Sequence, residues 1–109
     1  MAIKLIRIVK SSNSAKKYDA IFMVDGKEKK VSFGASNYRD YTLINDKNSK
    51  FYLPKILDRN VVKASYIRRH KKNEDWNNPL TAGALSRFIL WNRKSLNASI
   101  RDFKRRFKV

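Results

Sequence analysis

The sequence predicts an α+β domain: a three-stranded antiparallel sheet in the order 1-2-3, followed by three helices packed mainly on one face. Apolar side chains follow the two-residue period of strands in the first 35 residues and the wider spacing of helices from residue 58 onward. A length of 109 residues fits one domain. We divide it into a sheet part (1–35), an irregular connection (36–57) and a helical part (58–109).

Three segments have the composition of strands, namely Ile3–Val9, Tyr18–Val24 and Lys29–Ala35. The five-residue apolar run of the second indicates a central strand that is partly buried on both faces. Asp25-Gly26 is a strong hairpin signal. A two-residue loop and a four-residue loop both place the same apolar side chains on the core face: Ala20, Phe22, Val24, Val31 and Phe33.

The connection of residues 36–57 contains one short segment, Tyr41–Ile44, for which we expect an extended conformation. A first helix is predicted from an N-cap at Asp58 to about Lys72. Its apolar stripe is expected to be Val61 and Ala64, joined less cleanly by three further side chains: Val62, Tyr66 and Ile67.

Two more helices follow. Asn78-Pro79 supplies an N-cap and a first-turn proline for a central helix over Leu80–Trp91. Ser95 is expected to cap the last helix, Leu96–Phe107, which carries basic residues largely opposite its apolar face. That apolar face consists of Leu96, Ile100, Phe103 and Phe107. Trp76 and Trp91 flank the central helix, and we interpret both as packing residues.

The net charge limits the classes of partner that the protein is expected to bind. The chain has 26 Lys and Arg residues against 9 Asp and Glu, a formal net charge of +17. The half after Pro54 carries net +11 and the first half +6. Like charges in a compact fold repel one another, so this excess favours a polyanionic partner over a role in solubility alone.

The absence of Cys excludes disulfides and thiol catalysis and fits an intracellular protein. Neither a signal peptide nor a membrane span is predicted.

Double-stranded DNA is the partner we expect, bound through its phosphates with little sequence specificity. No enzyme activity, cofactor, metal or small-molecule substrate is predicted. The basic residues expected to contact DNA lie in the first loop, the hairpin, the helix ends and the last helix. They are Lys16, Lys17, Lys27, Lys29, Lys30, Arg68, Arg69, Lys71, Lys72, Arg87, Arg93, Lys94, Arg101, Lys104, Arg105, Arg106 and Lys108.

Three alternatives stay open at this point. His70 with Glu74 and Asp75 has the chemistry of a divalent metal site, as a nuclease would need. Tyr38 and Tyr41 are the aromatic side chains best placed to stack on single-stranded bases. An acidic protein or an anionic membrane surface would also attract the basic, amphipathic last helix.

Several segments resemble a family of short basic proteins encoded by nucleocytoplasmic large DNA viruses, such as marseillevirus relatives. These are RHKKNEDW, TAGALSRFILWN, SLNASIRDFKRRF, YDAIF and GKEKKVSFGASNYRDYT, which together cover about half of the chain. Leu43–Leu57 departs from the pattern like an insertion. The resemblance implies a viral factory in the host cytoplasm, or a virion, and a part in genome packaging or organisation. It assigns no functional residue.

Overall fold

A computed structural model describes residues 2–109. Its sheet consists of β1 (Ile3–Lys10), β2 (Lys16–Val24) and β3 (Lys27–Ala35), which are antiparallel and lie in the order β1-β2-β3. The predicted strand order is confirmed. Each strand is longer than predicted, because backbone pairing continues through polar residues at the strand ends.

The β2–β3 hairpin has the shorter of the two predicted loops. Val24 pairs with Lys27 across Asp25 and Gly26, whose φ values of 50° and 83° suit a tight two-residue turn. The register pairs Ala20 with Val31, so the predicted core face is correct. Buried residues occur on both faces of β2, which confirms its central position.

Helices follow the sheet, as the α+β prediction requires. They are α1 (Tyr41–Ile44), α2 (Ile56–Lys71), α3 (Ala82–Leu85) and α4 (Leu96–Phe107), and a π-helical turn at Ser86–Leu90 directly continues α3. The segment predicted to be irregular therefore contains one short helix and the first residues of a second.

The extended conformation expected for Tyr41–Ile44 is wrong. Asp40 caps this helical turn, since its Oδ1 accepts a hydrogen bond from the Leu43 amide at 3.0 Å. Ile44 is completely buried, so the turn also contributes an apolar anchor to the core. A capping carboxylate and one buried residue outweigh the modest helix propensity of this segment.

The start and the buried face of α2 also differ from the prediction. The helix begins two residues before Asp58, which lies in the first turn instead of capping it. Val61 is 56% exposed and Ala64 is exposed, whereas Tyr66 is buried. Val62 and Ile67 pack against the core beside Tyr66. The larger side chains determine the buried face because they remove more apolar area from water.

The central helix starts later than predicted. Thr81, not Asn78, is its N-cap, and the Thr81 Oγ1 accepts from the Ala84 amide at 3.1 Å. Asn78 closes a turn instead, with Oδ1 accepting from the Leu80 amide. The segment does form the predicted core. Leu85 is buried, and so are four consecutive residues at the end of the segment, Phe88, Ile89, Leu90 and Trp91.

The last helix agrees with its prediction. Ser95 caps α4 by accepting from the Ala98 amide at 3.3 Å. Phe103 is fully buried, and the other three residues of the predicted apolar face pack against the core. This packing leaves the basic side chains of α4 outside the core, and Arg101, Lys104, Arg105 and Arg106 are all exposed.

Candidate nucleic-acid interface

Most residues predicted to contact DNA are exposed. Fifteen of them lie at the surface: Lys16, Lys27, Lys29, Lys30, Arg68, Arg69, Lys71, Lys72, Arg93, Lys94, Arg101, Lys104, Arg105, Arg106 and Lys108. Lys17 and Arg87 are the two that are partly buried. The fold brings some of the exposed residues together in two clefts and leaves the hairpin lysines outside both.

Lys17 has a structural role that the sequence reading missed. Its Nζ lies 2.6 Å from Asp40 Oδ2 and donates to the Tyr38 carbonyl at 2.6 Å. The side chains of Lys17 and Asp40 are only 14% and 3% exposed. The ammonium group is therefore committed to tying β2 to the start of α1, and we remove it from the predicted contact set.

The first cleft has a volume of about 740 Å³ and lies between the end of α2, the β3–α1 connection and the start of α3. Lys16, Arg39 and Arg69 contribute exposed basic groups to it. Arg39 was not among the predicted residues, because it lies in a segment without regular periodicity. Its neighbour Asp40, a good N-cap, was the signal that could have placed it beside a helix start.

One wall of this cleft is an ordered polar and aromatic cluster. The His70 Nδ1 and Glu74 Oε1 atoms are 2.6 Å apart, and the Trp76 indole N–H donates to Glu74 Oε2 at 2.9 Å. The Tyr66 ring stacks between His70 and Trp91, with centroid distances of 4.2 and 4.5 Å. Burial raises the pKa of the Tyr66 hydroxyl, with a further contribution from the Glu74 charge. These contacts join the end of α2 to Trp91, which directly follows the π-helical turn.

This cluster does not assemble the metal site considered from the sequence. Asp75, the third proposed ligand, instead accepts a hydrogen bond from the Asn77 amide at 3.0 Å. Across residues 2–109, no three side chains of His, Cys, Asp or Glu gather in a ligand cluster. The nuclease alternative thus receives no ligand set from the described chain.

The second cleft, which we call the arginine cleft, has a volume of about 470 Å³. It lies between the π-helical turn and α4, and four arginines line it together with three other residues. The arginines are Arg87, Arg93, Arg105 and Arg106, and the others are Phe88, Asn92 and Asp102. All four arginines belong to the predicted contact set, although they come from three different segments.

Asp102 organises two of the four guanidinium groups. Its Oδ2 lies 2.6 Å from Arg93 Nε, and its Oδ1 lies 3.7 Å from Arg105 Nη1. The Asn92 amide also donates to Asp102 Oδ2, at 3.3 Å. The hydrogen bond from Arg93 is the main cause that holds the pKa of Asp102 below its ordinary value. A single ionised carboxylate therefore faces four guanidinium groups.

The two tyrosines proposed for stacking have different surroundings. Tyr38 is 69% exposed at the first cleft. Tyr41 is half-buried and packs against the core, and Lys63 Nζ lies 4.3 Å from its ring centroid. Only one of the two rings is thus open to a base, whereas single-strand binding surfaces stack successive bases on several aromatics.

The fold and these clefts define a small basic α+β protein with two charged surface sites. Residues 6–52 match the model of a family of unknown function, DUF5754. The match covers most of the sheet and α1, and it extends into the segment interpreted above as an insertion. Searches of curated proteins and of solved structures give no match to this chain. Within the described residues, no helix is both long enough and apolar enough to cross a membrane.

Proposed function

We propose that this protein binds double-stranded DNA through phosphate contacts, without catalysis and with little sequence preference. The proposal rests on one observation: most acidic side chains make contacts within the fold itself. Asp40, Glu74 and Asp102 hold internal contacts, and Asp25, Asp46 and Asp75 each accept from a backbone amide. These carboxylates serve the fold, so most surface cations keep their charge available to a polyanion.

Duplex DNA fits this surface better than single strands do. The exposed cations are distributed over the hairpin, the end of α2 and α4, as contacts to a charged backbone require. Only Tyr38, of the two tyrosines proposed for stacking, offers an open ring. The resemblance to short basic proteins of large DNA viruses adds a context, in which the protein packages or organises a viral genome in the viral factory or the virion.

Equilibrium binding across a salt series tests the proposal. The probes are a duplex of about 30 base pairs with hydroxyl ends, its single strand and a matched RNA duplex. If six to eight phosphates are neutralised, the plot of log K against log salt has a slope of roughly −5 to −7 for the DNA duplex. Weak binding to all three probes would refute the proposal and direct the search to an acidic protein or an anionic membrane.

A pair of charge-matched variants tests the location of the contacts. R101Q/K104Q/K108Q removes three exposed charges from α4 and its C-cap residue, and K47Q/K50Q/K55Q removes three from the connection before α2. Both lower the net charge by the same amount. We expect the first variant to reduce the magnitude of the salt slope by about 2–3, and the second to change it by less than about 1. Equal slopes would show that only total charge matters.

A further inference from the structure

We infer that the arginine cleft binds a dianionic phosphate group, either a terminal phosphate of a nucleic-acid strand or a free phosphate monoester. The nucleic-acid source rests on the function proposed above, whereas the anion site itself does not. The inference depends on how Arg87 is held, on the charges that surround it and on the concave shape of the cleft.

Arg87 is held in place by its contacts, and its one buried unpaired donor is the Nε–H. Its Nη1 donates to the Trp91 carbonyl at 2.8 Å, and its guanidinium carbon lies 5.0 Å from the Phe88 ring centroid. Its Nε atom is buried and has no hydrogen-bond partner. Buried donors are almost always paired, so this unpaired N–H shows that the hydrogen bonding of a charged group is incomplete within the folded chain.

The surroundings of Arg87 are cationic. Arg106 lies on the Phe88 ring at 4.0 Å, and burial together with the charge of Arg106 lowers the pKa of Arg87. Lys63 contacts a lining residue of the cleft, since its Nζ donates to the Asn92 carbonyl at 2.7 Å. Burial and the charges of Arg87 and Arg93 lower the pKa of Lys63. An anion in the cleft would relieve this repulsion.

The charge balance favours a dianion over a monoanion. Four guanidinium groups and the single carboxylate of Asp102 leave an excess of three positive charges along the lining. Asp102 does not fill the site, because it already accepts from Arg93 and Asn92. Guanidinium forks match the oxygens of a phosphate, and a doubly charged terminal phosphate gains more from this field than a backbone diester does.

The π-helical turn provides the shape. It places Arg87 and Phe88 on the side of the α3 segment that faces α4, where Arg105 and Arg106 project. Turns of this kind occur frequently at functional sites. The cleft is thus built from elements whose backbones are fixed by the core, since Phe88, Ile89 and Phe103 are buried beside it.

The first experiment titrates inorganic phosphate into the full chain at constant ionic strength and follows the side-chain Nε–H resonances of arginine by NMR. We expect saturable binding that shifts the Arg87 signal. R93Q/R106Q removes two exposed guanidinium groups of the cleft and should weaken phosphate binding roughly tenfold or more. K47Q/K50Q removes the same charge from two exposed lysines outside the cleft and should change it less than about twofold. Equal effects of the two variants, or an unresponsive Arg87 signal, would overturn the inference.

The second experiment identifies the source of the phosphate. Duplexes of one sequence, with 5′-phosphate or 5′-hydroxyl ends, compete with inorganic phosphate for the wild-type protein and for R93Q/R106Q. Tighter binding of the phosphorylated duplex that is lost in R93Q/R106Q assigns the cleft to strand ends. Equal duplex affinities with saturable inorganic phosphate binding assign it to a free phosphate group and not to strand ends. Duplex binding without phosphate binding refutes the cleft alone, and phosphate binding without duplex binding refutes the proposed DNA function alone.

Discussion

Replacing Asp40 with alanine removes a buried carboxylate that serves two parts of the fold at once. It caps α1 through the Leu43 amide and also accepts from the Thr42 hydroxyl. It is paired with the Lys17 ammonium at 2.6 Å. The Lys17 side chain is only 14% exposed in the wild type, and in the D40A variant its ammonium group would have no opposite charge beside it.

The expected loss follows from these two roles. Removing one partner of a buried ion pair costs about 3–5 kcal/mol, because the remaining charge stays desolvated. Loss of an N-cap costs about 1 kcal/mol. The two losses share one side chain, and Lys17 keeps its bond to the Tyr38 carbonyl. We therefore expect a decrease of about 3–5 kcal/mol in the free energy of unfolding, much of the total stability of a small domain.

Urea unfolding followed by Trp fluorescence measures this loss. With a slope of about 1.5 kcal/mol per molar urea, the midpoint should fall by roughly 2–3 M. Asp46 provides the control, since its exposed carboxylate accepts from the Asn48 amide at 2.9 Å and has no ion-pair partner within residues 2–109. D46A should cost at most about 1 kcal/mol. A D40A loss as small as that of D46A would refute this account of the Lys17–Asp40 pair.

Two further predictions concern the sheet. Hydrogen bonds from Ser32 and Ser11 hold the pKa of Asp19 below its ordinary value of 3.8, so this stabilisation is present above 3.8 and is lost as pH falls through the lower folded-state pKa. In S32A, the difference in unfolding free energy between about pH 6 and about pH 2.5 should shrink; an unchanged difference would contradict the assignment. G34A should cost about 2–4 kcal/mol and G26A about 1 kcal/mol in urea unfolding, since both glycines have positive φ but only at Gly34 would a Cβ lie 2.7 Å from Leu90 Cδ1. Equal losses would show that φ alone sets the cost.

The sheet could be predicted because its signals are local. Side chains alternate with a period of two, so a single turn at Asp25-Gly26 determines which residues of both strands face the core. Helix α4 was equally predictable, since its N-cap residue and its four apolar side chains at helical spacing indicate the same helix. In both elements every local preference favours the same structure.

The sequence-based predictions were wrong where two local signals compete. In α2, Val61 and Ala64 form one stripe and Tyr66 and Ile67 another, and spacing alone does not rank them. The choice comes from tertiary packing, because Tyr66 stacks on Trp91, which is far away in the sequence. The α1 turn shows the same problem on a smaller scale, because a four-residue helix has no periodicity to detect.

The exposed basic surface was predictable residue by residue, but the clustering of its arginines in one cleft was not. Exposure of a lysine or arginine follows from its chemistry, and fifteen of the seventeen predicted residues are exposed. Lys17 could not be recognised as buried, since its partner Asp40 lies 23 residues away. The arginine cleft combines three segments, so its concentration of charge depends on the packing of the π-helical turn against α4.

Acidic and basic side chains have different roles in this fold, and this difference relates its stability to the proposed function. Carboxylates are placed where they cap, pair or orient, as Asp40 and Asp102 do. Most guanidinium and ammonium groups lie where they contribute little to the folded state, and their mutual repulsion opposes it. An arrangement that served only stability would distribute acids among these cations. If the protein binds a polyanion as proposed, that partner would relieve the repulsion between these cations, and the relief would add to affinity because the cations are held in place before binding.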